Sequence, residues 1–340
     1  MYRAPDGTEY YIIDGHVHFW DASPANQLNR YGEGFIGSFY DYHRALSPPE
    51  YLWPREKFER YGEETMMRDV FAEGHVDVAI LQPTYLTDFY RDGFNTTAQD
   101  AVLKERHPQQ FVLNSSFEPR DEQAGLDRFV EKVKRWNVKG VKLYTAEWRG
   151  DSRGWKLTDP WARRYLDKCV ELGVLNIHVH KGPTIWPLNK DAFDLADVDA
   201  VATDYLDAGL RFIVEHCGLP RIEDFNWIAV QEPNVYAGLA VFMPFIHARP
   251  RYFAEVLAEL LWWVGEDRLL YASDYAIWSP RWIVEQFAAF ELPEDLRAET
   301  GVELSVAAKR KIFGLNAAKL YDLEVPAHLR LEAGEPALSE

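Results

Sequence analysis

Eight short apolar runs, separated by amphipathic stretches, are the feature that most limits the folds open to this chain. The runs cover residues 9–19, 75–84, 110–118, 139–145, 175–180, 211–217, 234–242 and 269–274. Strands that are apolar almost throughout and separated by helices are typical of a parallel sheet covered on both faces. The alternation therefore predicts an α/β protein.

The number of these βα units indicates how the sheet is closed. Eight units over about 270 residues match the size of a (β/α)8 TIM barrel better than that of an open, doubly wound sheet. An open sheet remains the alternative, although no glycine-rich phosphate fingerprint follows the first run. Since the sequence shows no domain boundary, we predict a single barrel domain over residues 1–340 with its core at about 11–322.

End signals mark several of the intervening helices. We expect helices over 95–107, opening on Asn95 as a cap, over 122–136, and over 158–172, with Thr158 as cap and Gly173 as the stop. A further helix in the 250s should bury one apolar stripe, formed by Phe253, Val256, Leu257, Leu260 and Leu261.

Three segments interrupt the alternation. Residues 21–55 form an unusually long connection after strand 1, and with its flank it carries many aromatic rings: Tyr31, Phe35, Phe39, Tyr40, Tyr42, Tyr51, Trp53 and Phe58. A loop so rich in apolar rings should fold over the barrel mouth or into a subunit contact. Residues 145–155 form a second candidate lid. We expect residues 304–323 to form helices that close the barrel, and the chain from about residue 326 to form a tail.

Polar residues recur where the predicted strands end. Strand 1 ends in His16 and His18, strand 5 in His180, strand 6 in His216 and strand 8 in Asp274. Each residue alone could be structural, but active groups of this fold lie at these strand ends. Neutral imidazoles and a carboxylate suit Zn²⁺, Mn²⁺ or Fe²⁺ and leave a position for water. The five positions together predict a metal centre.

Four stretches resemble the amidohydrolase superfamily: IDGHVHFW at strand 1, IHVHKGP at strand 5, FIVEHCG at strand 6 and LLYASDYAIW at strand 8. The resemblance is to the amidohydrolase-2 branch, which contains aminocarboxymuconate-semialdehyde decarboxylase, related aromatic-acid decarboxylases and several hydrolases. It implies that one divalent metal ion, most often zinc, is bound by His16, His18, His180 and Asp274. It also implies that His216 orients or deprotonates the bound water.

Two residues near these positions keep alternative interpretations. His178 points to the same face as His180, one layer deeper, so either could be the ligand; the strand-end position favours His180. Lys142 on strand 4 should face the barrel interior, where a lysine is costly to bury. It could be a substrate-facing cation, an ion-paired lysine or, as in binuclear branches of the superfamily, a bridge between metals.

The resemblance covers two reactions. We favour a hydrolase that attacks a small, aromatic or cyclic amide, ester or lactone with a metal-activated water, in which Asp274 or His216 moves the proton. The alternative is a non-oxidative decarboxylase, which needs a cation near the metal; Arg149 is one of several candidate arginines. His247 and Phe245 are further candidate substrate contacts. A catalytically silent barrel that acts as a binding partner is the third possibility.

Charge and composition limit the partners. The formal net charge of −17 and the absence of a Lys/Arg cluster argue against binding to nucleic acid. No stretch approaches the roughly 20 apolar residues that span a bilayer, and with only two cysteines we expect a cytoplasmic protein without disulfides. Relatives commonly pair through loops over the mouth, so the resemblance implies a homodimer.

Overall fold

The computed structural model describes residues 1–330 and shows eight parallel strands around which the helices are arranged. The strands are β1 Ile13–Val17, β2 Val78–Leu81, β3 Phe111–Ser115, β4 Gly140–Leu143, β5 Asn176–His180, β6 Arg211–Glu215, β7 Val235–Gly238 and β8 Leu269–Leu270. Each pairs in parallel with the next in the chain. A short antiparallel hairpin, Tyr2–Arg3 with Glu9–Tyr10, precedes them.

The barrel is closed between its first and last strands by a few backbone contacts. The Gly15 N–H donates to the Tyr271 carbonyl at 2.9 Å, and the His18 N–H donates to the Tyr275 carbonyl at 2.7 Å. Val17 and Tyr275 form an isolated parallel bridge. The predicted TIM barrel is confirmed. The strands are shorter than the apolar runs: β8, for example, ends at Leu270, so Asp274 lies beyond it.

The helices cover the outside of the barrel and both of its ends. Their bounds are α1 Arg30–Leu46, α2 Arg55–Glu59, α3 Glu63–Met66, α4 Thr97–Arg106, α5 Glu122–Trp136, α6 Pro160–Leu172, α7 Ala196–Tyr205, α8 Ile222–Gln231, α9 Phe245–Ala248, α10 Pro250–Trp263, α11 Pro280–Ala289, α12 Glu294–Thr300, α13 Val306–Arg310 and α14 Asn316–Tyr321. None of the helices in residues 1–330 has the length and apolarity needed to cross a membrane.

The helix ends partly follow the sequence signals. Helix α5 has the expected bounds, and Gly173 ends α6 at a φ of +69°. The cap of α4 is Thr96, which forms a capping box with Gln99, so the assignment of Asn95 as cap was wrong. The cap position of α6 is Asp159 rather than Thr158. The predicted stripe of α10 is buried.

The segment after β1 is helical rather than a loop. Helix α1 occupies about half of it and is capped by Asn29, whose side chain accepts from the Tyr31 N–H. Phe39 and Tyr42 of α1 line the cavity at the barrel mouth, as expected for a cover of that end.

The C-terminal helices close the opposite end. Residues of α14 pack with the lower interior of the strands in one apolar cluster that includes Ile13, Ile80, Leu270 and Leu320. Gly314 lies so close to the Tyr11 carbonyl that a Cβ atom would be 2.2 Å from that oxygen, so only glycine fits there. The predicted tail continues into residues 331–340, which lie outside the described part of the chain.

Candidate metal centre

The junction between the first strand, β1, and the last strand, β8, forms the seam of the barrel. Three side chains from the two sides of this seam converge at the mouth. His16 lies on β1, His18 follows its end, and Asp274 lies four residues beyond β8. All three are buried. Asp274 has a φ of +58°, a conformation that non-glycine residues rarely adopt and that recurs at functional sites. The irregular backbone after β8 turns this carboxylate towards the histidines.

The donor atoms lie close enough to share one ion. The Nε2 atoms of His16 and His18 are 3.0 Å apart, and Asp274 Oδ1 lies 3.8 Å from the first and 3.4 Å from the second. Two donors that each bind an ion at about 2.1 Å can be separated by at most about 4.2 Å. These residues therefore fit a single divalent metal ion.

Neighbouring acceptors orient both rings. His16 Nδ1 lies 2.9 Å from Glu215 Oε2 in a short contact that is not linear, and His18 Nδ1 lies 3.4 Å from Asn95 Oδ1. If each Nδ1–H donates to these oxygens, each Nε2 carries a lone pair. Two lone pairs that face each other at 3.0 Å repel, so a cation between them fits the donor set.

At neutral pH, His16 and Asp274 are in the protonation states in which they can bind a metal ion. Burial lowers the pKa of His16 to about 3, so this imidazole is neutral. Burial opposes ionisation of Asp274, but His16, His18 and His216 outweigh it and hold its pKa below the usual range. The centre therefore offers neutral nitrogen and an ionised carboxylate without a prior proton loss.

His216 and His180 form a pair beside the three donors. His216 Nε2 is 2.9 Å from His180 Nδ1, and His216 Nδ1 lies 3.1 Å from the Ala240 carbonyl, to which its N–H can donate. The ring of His216 is 5.6 Å from that of His16. Burial lowers the pKa of both His180 and His216. His180 was predicted as a fourth ligand; its donor atoms lie outside the group of three.

Lys142 is buried in the same cavity. Among the described residues no carboxylate lies within ion-pair distance of its Nζ atom, which faces the Tyr144 ring at 5.6 Å. Burial lowers the pKa of Lys142, while Glu215 and Asp274 oppose that shift. Of the alternatives for this lysine, the ion pair is therefore not formed, and the side chain faces the cavity.

A narrow cavity lies above the histidines, and the centre of a water molecule can occupy about 30 Å³ of it. Its wall is mostly apolar and aromatic, formed by Phe39, Tyr42, Phe94, Tyr144, Pro183, Ile185, Val241, Ile277 and Trp278 together with Thr84 and the polar residues described above. Such a lining suits a small ligand with an apolar body and one or two polar groups.

Three predicted substrate contacts lie elsewhere. Arg149 pairs with Asp121 at 2.7 Å and lines a separate cavity, because the segment after β4 turns outward. His247 and Phe245 lie on α9, where His247 packs on Trp282 and Phe245 on Tyr252. These side chains are held by their own neighbours and do not line the cavity.

Sequence reasoning missed two residues that contact the candidate ligands His16 and His18. Glu215 is the last residue of the buried strand β6, directly before His216. A charged residue at this otherwise apolar position was a signal of a functional role that the sequence analysis did not use. Asn95 was predicted to cap a helix, but its Oδ1 atom accepts a hydrogen bond from the Phe19 N–H and lies 3.4 Å from His18 Nδ1. His178 lies deeper, with its nitrogens near Glu215 and Tyr321, so it is not positioned as a ligand.

A barrel with a histidine–aspartate cluster at the carboxyl ends of its strands has the architecture of a metal-dependent enzyme. A profile of the family described as amidohydrolase matches residues 13–323. The chain therefore belongs to the amidohydrolase family, whose members are metal-dependent, and is an enzyme. This confirms the resemblance noted in the sequence.

Solved structures share this fold at low sequence identity. A TIM-barrel protein of uncharacterised function from Bordetella bronchiseptica is 17% identical with a TM-score of 0.67, over 91% of this chain and 98% of that one. An amidohydrolase from Burkholderia multivorans with bound zinc is 17% identical, with a TM-score of 0.59 and coverages of 92% and 100%. A 2,6-dihydroxybenzoate decarboxylase in complex with 2,6-dihydroxybenzoate is 17% identical, with a TM-score of 0.59 and coverages of 93% and 100%. No curated protein matches the sequence.

Proposed function

We propose that this enzyme is a metal-dependent hydrolase of a small aromatic or cyclic amide, ester or lactone. The observation that carries the proposal is the convergence of His16, His18 and Asp274 at the floor of a mainly apolar cavity. These three residues would hold one divalent ion, with His180 as a candidate fourth ligand. Zinc is favoured, because the donor set suits it and the Burkholderia neighbour holds it; manganese and iron are alternatives.

When bound, a divalent ion polarises a carbonyl oxygen and lowers the pKa of a coordinated water towards 7. The protein's own groups supply the remaining steps. His216 would accept a proton at Nε2, since its Nδ1–H is held by the Ala240 carbonyl. Lys142 would stabilise negative charge that develops on the substrate. Asp274, ionised and in contact with His18, is a second proton acceptor.

The cavity lining favours hydrolysis. A decarboxylase must hold a carboxylate, and none of the described residues lining the cavity is an arginine. Phe39, Tyr144 and Trp278 would instead pack against a ring and keep bulk water away from it.

Decarboxylation of an aromatic or unsaturated acid is the second candidate, and Lys142 is the observation that favours it. A buried ammonium without a carboxylate partner could hold the carboxylate of a substrate. A neighbour of the same fold is a decarboxylase that binds an aromatic acid.

The test combines metal analysis with paired assays. We expect about one transition metal ion per chain, and turnover of aryl esters or lactones monitored by proton release. Carbon dioxide release from aromatic acids without ester turnover would replace the hydrolase by the decarboxylase. A metal-loaded protein without either activity would favour a binding role, and a well-folded protein that takes up no metal would refute both enzymatic proposals.

Variants assign the roles. His216→Ala should keep the metal and lose most activity, whereas Asp274→Ala should lose metal and activity together. His247→Ala, in a histidine outside the cavity, is the matched control and should retain both. Normal turnover by His216→Ala would show that its proposed proton role is wrong.

A further inference from the structure

A chain of buried polar side chains runs through the barrel below the metal centre. Small α/β barrels usually fill this space with branched apolar residues. Here the interior holds Gln82, Asn114, His178 and Glu215, all fully buried, and Tyr321 of α14 reaches them from the closed end. Buried polar groups are costly unless they are paired. The contacts among these side chains therefore indicate the role of this polar network.

Each member of the chain contacts the next at short distance. Tyr321 Oη lies 2.6 Å from His178 Nε2, and His178 Nδ1 lies 2.5 Å from Glu215 Oε1. The other oxygen of Glu215 lies 2.9 Å from His16 Nδ1. The carboxylate of Glu215 therefore joins a ring at the mouth to a ring one layer deeper, and α14 is connected to the ligand His16.

Gln82 Nε2 lies 3.0 Å from His178 Nδ1 but donates to the Gly15 carbonyl at 2.8 Å. Among the other contacts, the donors and acceptors are consistent in one direction. The Asn114 amide donates to Tyr321 Oη at 2.9 Å, so the tyrosine can donate its own proton to His178 Nε2. His178 then carries its proton on Nδ1 and donates to Glu215, whose other oxygen faces His16 Nδ1 at 2.9 Å in a contact that is not linear. This assignment leaves the lone pair of His16 on Nε2, the atom that faces His18 and Asp274.

The backbone makes room for these side chains. A Cβ atom on Gly238 would lie 2.3 Å from Glu215 Oε2, and one on Gly140 would lie 2.6 Å from Asn114 Oδ1 and 3.0 Å from Tyr321 Oη. Glycine at these two positions therefore leaves the space that Glu215, Asn114 and Tyr321 occupy.

We propose that Tyr321 is a positioning residue for the metal centre, acting through His178 and Glu215 on the orientation and tautomer of His16. Helix α14 is then part of the metal site although it lies at the other end of the barrel. This inference rests on the proposed metal binding.

The test compares two tyrosines that each lose one buried hydroxyl. Tyr321→Phe removes the donor to His178. Tyr165→Phe removes a hydroxyl of α6 that, within residues 1–330, bonds only the carbonyls of Glu118 and Glu122. Zinc dissociation constants are measured by competition with a chromophoric chelator, and the visible spectrum of the cobalt-loaded protein reports the ligand geometry. Thermal melting of the metal-free proteins measures stability.

We expect Tyr321→Phe to weaken zinc binding several-fold and to alter the cobalt spectrum, while Tyr165→Phe changes neither at a comparable loss of thermal stability. Glu215→Gln, which alters the direct partner of a ligand, should weaken zinc binding by about 10- to 100-fold. Unchanged zinc affinity and cobalt spectrum in Tyr321→Phe would overturn the inference, as would equal effects of the two tyrosine substitutions. A wild-type protein that binds neither metal would instead refute the proposed function.

Discussion

The histidines of the barrel differ in chemistry because their ring nitrogens meet different partners. His16 and His18 each direct Nδ1 to a side-chain oxygen and Nε2 to the shared site. His178 has both nitrogens occupied by Glu215 and Tyr321. His16 and His18 can therefore offer Nε2 to a metal, whereas the position of His178 suits it to orienting its neighbours.

Asp100, which holds Asn95 behind His18, gives a pH-dependent prediction. Burial raises the pKa of Asp100 from 3.8 to about 8, so the folded protein keeps a proton that the unfolded chain releases above about pH 4. Unfolding therefore becomes more favourable as the pH rises between these values, by at most about 1.4 kcal/mol per pH unit. Asp100→Asn should remove this contribution and raise stability at pH 8 relative to pH 5.

Urea unfolding at several pH values measures the effect. Asp92→Asn, which removes an exposed carboxylate, is the matched control for the same change of residue type. An unchanged slope in Asp100→Asn would mean that this carboxyl is already ionised in the folded protein.

Lys142 gives a prediction about ligand charge. Lys142→Met keeps the length of the side chain but removes the cation, so binding of benzoate should weaken by about tenfold, or about 1.4 kcal/mol, while binding of neutral benzamide changes little. Inhibition constants of the two compounds, measured on metal-loaded protein, test this. Equal losses for both would indicate a packing effect instead of charge recognition.

Single residues show how far the sequence could be interpreted. His16, His18, His216 and Asp274 could be found because strand-end positions in a parallel barrel share one rim. Glu215 could not be linked to His16, because that contact depends on how strands distant in the chain are placed around the closed barrel. Arg149 was misplaced because the direction of a segment after a strand is set by packing and ion pairs, not by its own residue types.

At the scale of elements, helix α1 and the segment after β5 form the roof of the cavity. Trp186 of that segment lies on α1, with its ring 5.7 Å from the ring of Tyr31, and the neighbouring Pro183 and Ile185 line the cavity. The sequence predicted a cover here from its aromatic residues. It did not predict a helix, although Tyr31, Phe35 and Phe39 recur at a spacing of four residues and the last two lie on the buried face of α1.

Two glycines of α1 test whether this contact holds the roof. A Cβ atom on Gly34 would lie 2.0 Å from the Trp186 ring, so Gly34→Ala should displace the segment around Trp186 and expose it to proteolysis. Gly37 has only Arg55 nearby, at 3.8 Å, so Gly37→Ala should gain about 0.5–1 kcal/mol from helix propensity without that exposure. Limited proteolysis and thermal melting distinguish the two variants, and equal cleavage rates would show that Trp186 does not hold the segment.

At the scale of the whole molecule, the metal centre lies across the seam of the barrel. His16 and His18 belong to the first strand and its end, and Asp274 follows the last strand, so one ion would join the two edges of the sheet. The backbone contacts across this seam are few, with β8 only two residues long. A ligand that binds only the folded protein stabilises it, by about 2.7 kcal/mol at 100 times its dissociation constant.

This geometry predicts where metal removal loosens the protein. Hydrogen exchange should accelerate most at the seam, at the amides of Gly15 and His18, which donate to Tyr271 and Tyr275. Amides between β5 and β6, where five residue pairs are in continuous register, should change much less. Asp274→Ala should exchange at the seam as fast as the metal-free wild type, with or without added zinc. A uniform change across all strands would mean that the ion stabilises the barrel as a whole and does not join its two edges.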